Sequence, residues 1–156
     1  MKRVVVLGCA GAGKTTFTRR LSARIGAPAN ILDELWASPE IAADLEAFRA
    51  KVLAVHAQET WVSDGNFAVA TFDLRLPRAD LVIWLERPRW LCLWRAFTRV
   101  FRSGEDHGLA GLPDVLAYIW NFDRVSRPRI EAGLKQHGPG LKVLRTYGER
   151  DLPSDA

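Results

Sequence analysis

The chain has 156 residues, 48% hydrophobic and 26% charged, which fits one domain with its own core over residues 1–156. No apolar stretch approaches the roughly 18 residues of a membrane span, so we expect no membrane partner. The two cysteines lack metal-ligand spacing, which argues against a structural metal and favours a reduced, cytoplasmic protein. Of the 22 basic residues 17 are arginine, which suits an anionic ligand because guanidinium groups pair with phosphate oxygens.

Short apolar runs alternate with amphipathic stretches along the chain. The runs predict buried strands over residues 4–7, 29–33, 60–64, 81–86 and 141–147. The stretches predict helices over residues 13–25, 40–59, 88–102 and 113–136, the last disturbed at Pro128. Such alternation predicts an α/β three-layer sandwich around a parallel sheet.

Ligands of open parallel sheets bind beyond the carboxyl ends of the strands. The residues predicted at those ends are Gly8–Thr15, Asp33, Asp64, Glu86 and Tyr147. We therefore expect them to gather on one rim of the domain.

A glycine-rich loop follows the first predicted strand. Residues 8–15 read GCAGAGKT and fit the G-x-x-x-x-G-K-[ST] phosphate loop, whose backbone amides surround phosphate oxygens. The predicted nucleotide-binding residues are Gly8, Gly11, Ala12, Gly13, Lys14, Thr15 and Thr16. Lys14 would reach the β- and γ-phosphates, and the Thr15 hydroxyl would ligate Mg²⁺. No guanine-reading N/T-K-x-D motif follows a later strand, so ATP is favoured over GTP.

Magnesium in such sites also needs an acidic residue on a neighbouring strand. Asp64 ends the third predicted strand, and Gly65 leaves space beside it. An Asx turn at a strand end is the alternative role for Asp64. Glu86, at the end of the fourth strand, is the weaker candidate for the metal.

Arginines recur on both sides of the glycine-bearing segment at about residues 102–113, which we interpret as a short lid. Arg95, Arg99 and Arg102 share one helix face, and a second group comprises Arg124, Arg127 and Arg129. Such arginines can neutralise a transferring phosphoryl group. The alternative is a solvated basic face answered by Glu105, Asp106 and Asp123. The predicted catalytic residues are Lys14, Asp64, Arg95, Arg99, Arg102 and Arg127.

Several stretches together carry a family resemblance: GxxGxGKTT, ILDELW, WVSDGNF, DLRLPRADLVIWLERPRWLCLWR and SRPRI. From Lys2 to about Ile130 the chain resembles adenylate-kinase-like proteins known as DNA topology modulation proteins. The resemblance implies a small P-loop kinase fold with strand order 2-3-1-4-5. It also implies that Asp64 lies beside magnesium and that Arg95, Arg99 and Arg102 belong to the lid.

The phosphoryl acceptor is expected between the second and third strands, over Asp33, Trp36 and Asn66. Asp33 would accept a hydroxyl proton or anchor the substrate by a hydrogen bond. Trp36 would stack on a base or sugar, or else belong to the core.

These features favour an ATP- and Mg²⁺-dependent kinase whose acceptor is a small molecule or nucleotide. Two alternatives stay open: a nucleotide-binding regulatory module that touches nucleic acid, and a plain ATPase. The basic charge favours the first, but no DNA-reading motif is present. The sequence leaves the oligomeric state undetermined.

Overall fold

The structure, a computed structural model, describes residues 2–41, 44–103 and 111–148, with residues 100–103 described as backbone only. The strands are β1 (Arg3–Gly8), β2 (Ala29–Ile31), β3 (Trp61–Asp64), β4 (Leu81–Leu85) and β5 (Lys142–Thr146). The helices are α1 (Lys14–Ile25), α2 (Leu32–Trp36), α3 (Leu45–His56), α4 (Ala68–Arg75), α5 (Arg89–Ser103), α6 (Leu112–Asn121) and α7 (Arg127–His137). A 3-10 turn (Leu76–Arg78) follows α4, and a π-helical turn (Phe122–Ser126) joins α6 to α7.

All five strands pair in parallel, in the order β2-β3-β1-β4-β5, which confirms the predicted sheet. The register aligns the strand ends, since Gly8 pairs with Leu85 and Ile31 pairs with Asp64. The carboxyl ends of the strands therefore meet at one edge, where the phosphate loop also begins.

Helices cover both faces of the sheet, as expected when crossovers link parallel strands. Alternate residues of β1 point to opposite faces: Val4 and Val6 pack with α1, α5 and α6, whereas Val5 and Leu7 pack with α4 and α7. A third apolar cluster joins α2 to α3 through Leu32, Ile41, Phe48 and Val52. The predicted three-layer sandwich is confirmed.

Two predicted boundaries are wrong. The strand predicted over residues 29–33 ends at Ile31, and Asp33 lies in α2, because Leu32 turns into the apolar cluster beside α3. The helix predicted over residues 40–59 spans only Leu45–His56. It begins there because the Asp44 carboxylate accepts hydrogen bonds from the Glu46 and Ala47 amides, at 2.8 and 3.1 Å.

The helix predicted over residues 113–136 is two helices joined by the π-helical turn. The irregularity precedes Pro128, which occupies the first turn of α7, where its missing N–H costs nothing. The lid predicted over about residues 102–113 falls mainly on residues 104–110, outside the described residues. Within the described ranges, no helix combines the length and apolarity that a membrane crossing requires.

Candidate active site

The loop between β1 and α1 has the backbone shape of a phosphate cradle. Gly8, Gly11 and Gly13 all have positive φ angles, of 149°, 76° and 91°. Glycine is required at position 11 for a second reason: a Cβ there would lie 2.5 Å from the Cys92 carbonyl oxygen of α5. The loop is thus closely packed against α5, and the amino end of α1 points at the space it encloses. Such an end attracts anions.

The Lys14 side chain lies across the loop. Its ammonium donates a hydrogen bond to the Cys9 carbonyl oxygen at 3.1 Å. The Ala12 amide donates to the same oxygen at 3.2 Å, which closes the turn. Lys14 therefore sits at the mouth of the cradle, within reach of an anion bound there.

Thr15 and Asp64 meet beneath the loop. The Thr15 hydroxyl donates a 2.7 Å hydrogen bond to Asp64 Oδ2. β3 adjoins β1 and ends at Asp64, which brings this carboxylate under the first turn of α1. Glu86, the weaker candidate for the metal, instead accepts from Arg145 and Arg127 at 2.8 and 3.3 Å.

Asp64 fits a divalent cation. Its side chain is fully buried, and its Oδ1 has no hydrogen-bond partner among the described residues. Burial raises the pKa of this carboxyl, while Lys14 and the Thr15 hydrogen bond act in the opposite direction. A hard cation would satisfy the orphaned oxygen and offset the desolvation of the charge. The Thr15 hydroxyl is the second oxygen available to it.

A cleft of about 1010 Å³ opens beside the loop. Its lining includes Gly11, Ala12, Gly13, Lys14, Thr15, Thr16, Arg20, Asp33, Arg87, Arg95, Thr98, Arg99, Tyr147 and Gly148. Among these described lining residues, five side chains are cationic, and Asp33 supplies the carboxylate. The net positive charge of these lining residues suits a polyanion bound at the loop.

Two of the three arginines predicted on one face of α5 line the cleft. Arg95 and Arg99 both line the cleft. The Arg95 guanidinium lies over the loop, because a Cβ placed on Gly13 would be 3.5 Å from Arg95 Nη1. The Arg102 side chain lies outside the described residues.

Arg127 lies elsewhere, on the side of β4 that faces α7. It pairs with Glu86 at 3.3 Å and with Asp123 at 3.1 Å, and its guanidinium lies 5.5 Å from the centre of the Trp84 ring. Arg145 also pairs with Glu86 and lies 4.9 Å from the same ring centre. Arg127 does not line the cleft formed by the described residues.

The three residues predicted to hold the acceptor make different contacts in the structure. Asp33 is exposed and lines the cleft. Trp36 packs edge-on against Phe48, with ring centres 5.1 Å apart, and belongs to the apolar cluster beside α3. Of the two roles left open for Trp36, the contacts are those of the packing role.

Asn66 holds the loop. Its Oδ1 accepts a hydrogen bond from the Gly8 amide at 3.3 Å, and its Nδ2 donates to the Gly8 carbonyl at 2.9 Å. Nδ2 also donates to the Tyr118 hydroxyl at 2.9 Å. The side chain thus ties the start of the phosphate loop to the segment after β3.

Sequence reasoning missed a fully buried arginine behind this segment. Arg75 donates to the carbonyl oxygens of Gly65 and Asn66, at 2.6 and 3.1 Å, and to the Ser63 hydroxyl at 3.3 Å. Burial lowers the pKa of Arg75 to about 9, and the charges of Asp64 and Asp33 oppose that shift. Arg75 therefore remains a cation at neutral pH. Its hydrogen bonds hold the segment from Ser63 to Asn66, which includes Asp64.

Two further cleft arginines were also missed, although signals for them existed. Arg87 follows the carboxyl end of β4, where ligand-binding residues were expected. Arg20 stands one helical turn after Thr16 and shares its face of α1.

Comparison with known proteins bears on the fold. No protein-family model matches the sequence, and no curated protein is significantly similar to it. The structure is similar to shikimate kinase from Acinetobacter baumannii in complex with shikimate, at 20% identity, 94% coverage of this chain, 84% of that chain and a TM-score of 0.55. It is also similar to shikimate kinase from Bacteroides thetaiotaomicron, at 19% identity, 86% and 95% coverage and a TM-score of 0.51. The chain has the α/β fold of the P-loop kinases.

Proposed function

We propose that this protein is a phosphotransferase that moves the γ-phosphoryl group of ATP to a small polar acceptor. The observation that carries the proposal is the Thr15–Asp64 pair beneath a phosphate loop that opens into a cationic cleft. The P-loop kinase fold of the chain supports the same reading.

The proposed reaction needs positioning and charge neutralisation rather than a covalent enzyme intermediate. An oxygen of the acceptor attacks the γ-phosphorus, the bond to the β–γ bridging oxygen breaks, and ADP leaves. Backbone amides of residues 11–16 would hold the phosphates, with Lys14 on the β- and γ-oxygens. Mg²⁺, when bound by Thr15 and Asp64, supplies positive charge to the same oxygens.

Arg95 and Arg99 are proposed to neutralise the phosphoryl group in transfer, because they line the cleft and Arg95 lies over Gly13. Arg102 remains a proposed member of the same face. Arg127 fits this role poorly, since Glu86 and Asp123 already pair with it. Its contacts support a structural role.

The acceptor is proposed to bind on the Asp33 side of the cleft, where the Asp33 carboxylate is exposed to it. Asp33 would accept the proton if the attacking group is a hydroxyl. The solved neighbours are shikimate kinases, which makes a hydroxylated small acid one candidate acceptor. The sequence resemblance to adenylate-kinase-like DNA topology modulation proteins makes a nucleoside monophosphate the other.

The two rival functions would require different features of the structure. A regulatory module that binds nucleic acid would carry them on a face remote from the nucleotide. Four arginines instead line the described part of the cleft. A plain ATPase would need a residue that orients attacking water, and its turnover would not respond to an acceptor.

The test is acceptor-dependent release of ADP. Purified protein, ATP and Mg²⁺ are incubated with a panel that includes shikimate, nucleoside monophosphates, nucleosides, sugars and small hydroxy acids. At least one class should raise ADP release, and Lys14→Ala should abolish the increase. Lys51→Ala is the matched control, because Lys51 lies on α3 and pairs with Glu40 at 3.7 Å. Turnover unchanged by the whole panel would contradict the kinase proposal.

A further inference from the structure

The two cysteines of the chain are far apart in sequence but meet in the fold. Cys9 lies in the phosphate loop and is partly exposed, whereas Cys92 lies in α5 and is buried. Cys92 belongs to the apolar cluster shared by α1, α5 and α6, and Cys9 packs against the same cluster. Both line a small cavity of about 40 Å³, which is large enough for one molecule the size of water or hydrogen peroxide.

The backbones that carry the two thiols are also held together. A Cβ on Gly11 would lie 3.0 Å from the Cα of Cys92, so the phosphate loop and α5 touch at this residue. The rest of the loop is fixed through Asn66 and Gly8. The fold itself therefore brings the two cysteines together at the wall of one small cavity.

The charges around the pair favour one thiolate and one thiol. The hydrogen bond from Cys9, together with the nearby charges of Lys14, Arg95 and Arg87, lowers the pKa of Cys92 to about 7 against the effect of burial. The same hydrogen bond and burial raise the pKa of Cys9. The pair thus gives up its first proton readily and holds the second. A thiolate beside a protonated thiol is the starting state for disulfide formation.

We propose that Cys9 and Cys92 form a redox modification site, at which a hydroperoxide converts the two thiols to a disulfide and thereby disables the phosphate loop. The thiolate sulfur attacks a peroxide oxygen, the O–O bond breaks, and a sulfenic acid and hydroxide form. The second sulfur then attacks the sulfenic sulfur, and its proton and the sulfenic hydroxyl leave as water. In sum, two thiols are oxidised by two electrons, and one hydrogen peroxide is reduced to two waters.

Disulfide formation should distort the cradle. An S–S bond is about 2.05 Å long, shorter than any contact between two sulfurs that are not bonded, so Cys9 must move towards α5. The Cys9 carbonyl oxygen accepts hydrogen bonds from Lys14 and the Ala12 amide, so this movement displaces both groups. Misplacement of such groups by about 1 Å costs up to about 10²-fold in a reaction that depends on positioning. We therefore expect the disulfide to weaken nucleotide binding. That expected loss of affinity rests on the proposed function, whereas the formation of the disulfide does not.

The test treats the full chain with a small excess of hydrogen peroxide and then removes the peroxide. Intact-mass spectrometry under non-reducing conditions should show the loss of two hydrogen atoms, and dithiothreitol should restore the original mass. Titration calorimetry with ADP and Mg²⁺ should show affinity at least about 10-fold weaker after oxidation, with recovery after reduction. Cys92→Ser should bind ADP as the parent does and should keep that affinity after peroxide. Cys92→Ala serves the same purpose if the serine variant fails to fold.

The outcomes separate the two proposals. Without an intramolecular disulfide, or with sulfinic acid alone, the redox site is refuted whatever the nucleotide affinity. A disulfide that leaves ADP affinity unchanged refutes its regulatory effect. If the reduced protein binds no nucleotide but still forms the reversible disulfide, the proposed function fails while the modification site stands.

Discussion

Two arginine-rich regions flank β4, and they differ in their surroundings. On the side of α5, Arg95 and Arg99 line an open cleft next to the phosphate loop. On the side of α7, Arg127 and Arg145 are paired with Glu86, Asp123 and Glu131, and both lie near the Trp84 ring. Arginine content alone therefore does not identify a phosphate site. The two regions are distinguished by what the described residues show: the first lines the cleft, and the second is paired with carboxylates on the opposite side of β4.

Replacement of Arg75 should have the largest effect on the free energy of unfolding, because this arginine is fully buried. It belongs to neither of the two regions. Arg75→Leu should destabilise the fold by about 3–5 kcal/mol, since the carbonyl oxygens of Gly65 and Asn66 and the charge of Asp64 lose their partner. Urea unfolding measures the change. Arg49→Ala is the control, because Arg49 pairs with Asp73 at the surface and its loss should cost much less stability than Arg75→Leu. Equal losses in the two variants would refute the bracing role of Arg75.

Replacing one arginine from each region by alanine tests whether the two regions have different roles. Arg95→Ala should lower turnover of ATP with the best acceptor about 10²–10³-fold, because a group aimed at the phosphoryl site is lost. Arg127→Ala should change turnover less than about 10-fold and should act mainly on stability. Steady-state kinetics on both variants decides the matter. A larger catalytic loss in Arg127→Ala would return that residue to the active site and refute the structural distinction.

A buried histidine outside both regions should set part of the pH dependence of the free energy of unfolding. His56 lies in neither: it is buried, its Nδ1 lies 2.6 Å from the Val52 carbonyl oxygen, and burial lowers its pKa from 6.5 to about 4. Between these values the unfolded chain binds the extra proton, so stability falls as the pH drops from 6.5 towards 4. The full shift corresponds to about 3 kcal/mol. Urea unfolding at pH 7 and pH 4.5 should therefore differ less in His56→Phe than in the parent chain.

Arg145→Ala serves as the matched control for that experiment and should retain the dependence on His56. A pH profile that is unchanged in His56→Phe would contradict the assignment.

The smallest effect on stability is expected for Arg145, which belongs to the region on the side of α7. Arg145 is partly exposed, and its ion pairs with Glu86 and Glu131 are open to solvent and to salt. Arg145→Ala should cost about 1 kcal/mol or less, and the loss should shrink further at high ionic strength. Thermal unfolding at low and high salt measures both quantities. A loss of several kcal/mol, independent of salt, would mean that this pair belongs to the core.

The sheet and its site-bearing edge could be predicted from local patterns. The strands are apolar runs bounded by turn residues, and the loop motif has a spacing that few other structures share. The predicted ends of elements are wrong where a single side chain determines the end. Asp44 caps α3 and shortens a helix that periodicity alone extended to residue 40. α4 went unrecognised because it is short and its first residue is preceded by no side-chain cap.

The pairing of charged and reactive side chains could not be predicted. Arg127 and Arg95 look alike in sequence, and the pairing of Arg127 with Glu86 and Asp123 separates them. Nothing in the local sequence marks Arg75 as buried, yet in the fold it is buried and donates a hydrogen bond to the Gly65 carbonyl oxygen. Cys9 and Cys92 have no telling spacing, yet the crossing of the loop over α5 makes them neighbours. Contacts between residues distant in sequence depend on the tertiary packing, which local patterns do not encode.

The central claim is that the phosphate loop, Thr15 and Asp64 together bind the phosphates of an adenine nucleotide with magnesium. Calorimetric titration of the reduced protein with a non-hydrolysable ATP analogue tests it, once with Mg²⁺ and once with a chelator. We expect a dissociation constant between about 1 μM and 1 mM with Mg²⁺, and affinity at least about 10-fold weaker without it. Absence of binding, or equal affinity with and without Mg²⁺, would refute a magnesium-dependent nucleotide site at this loop.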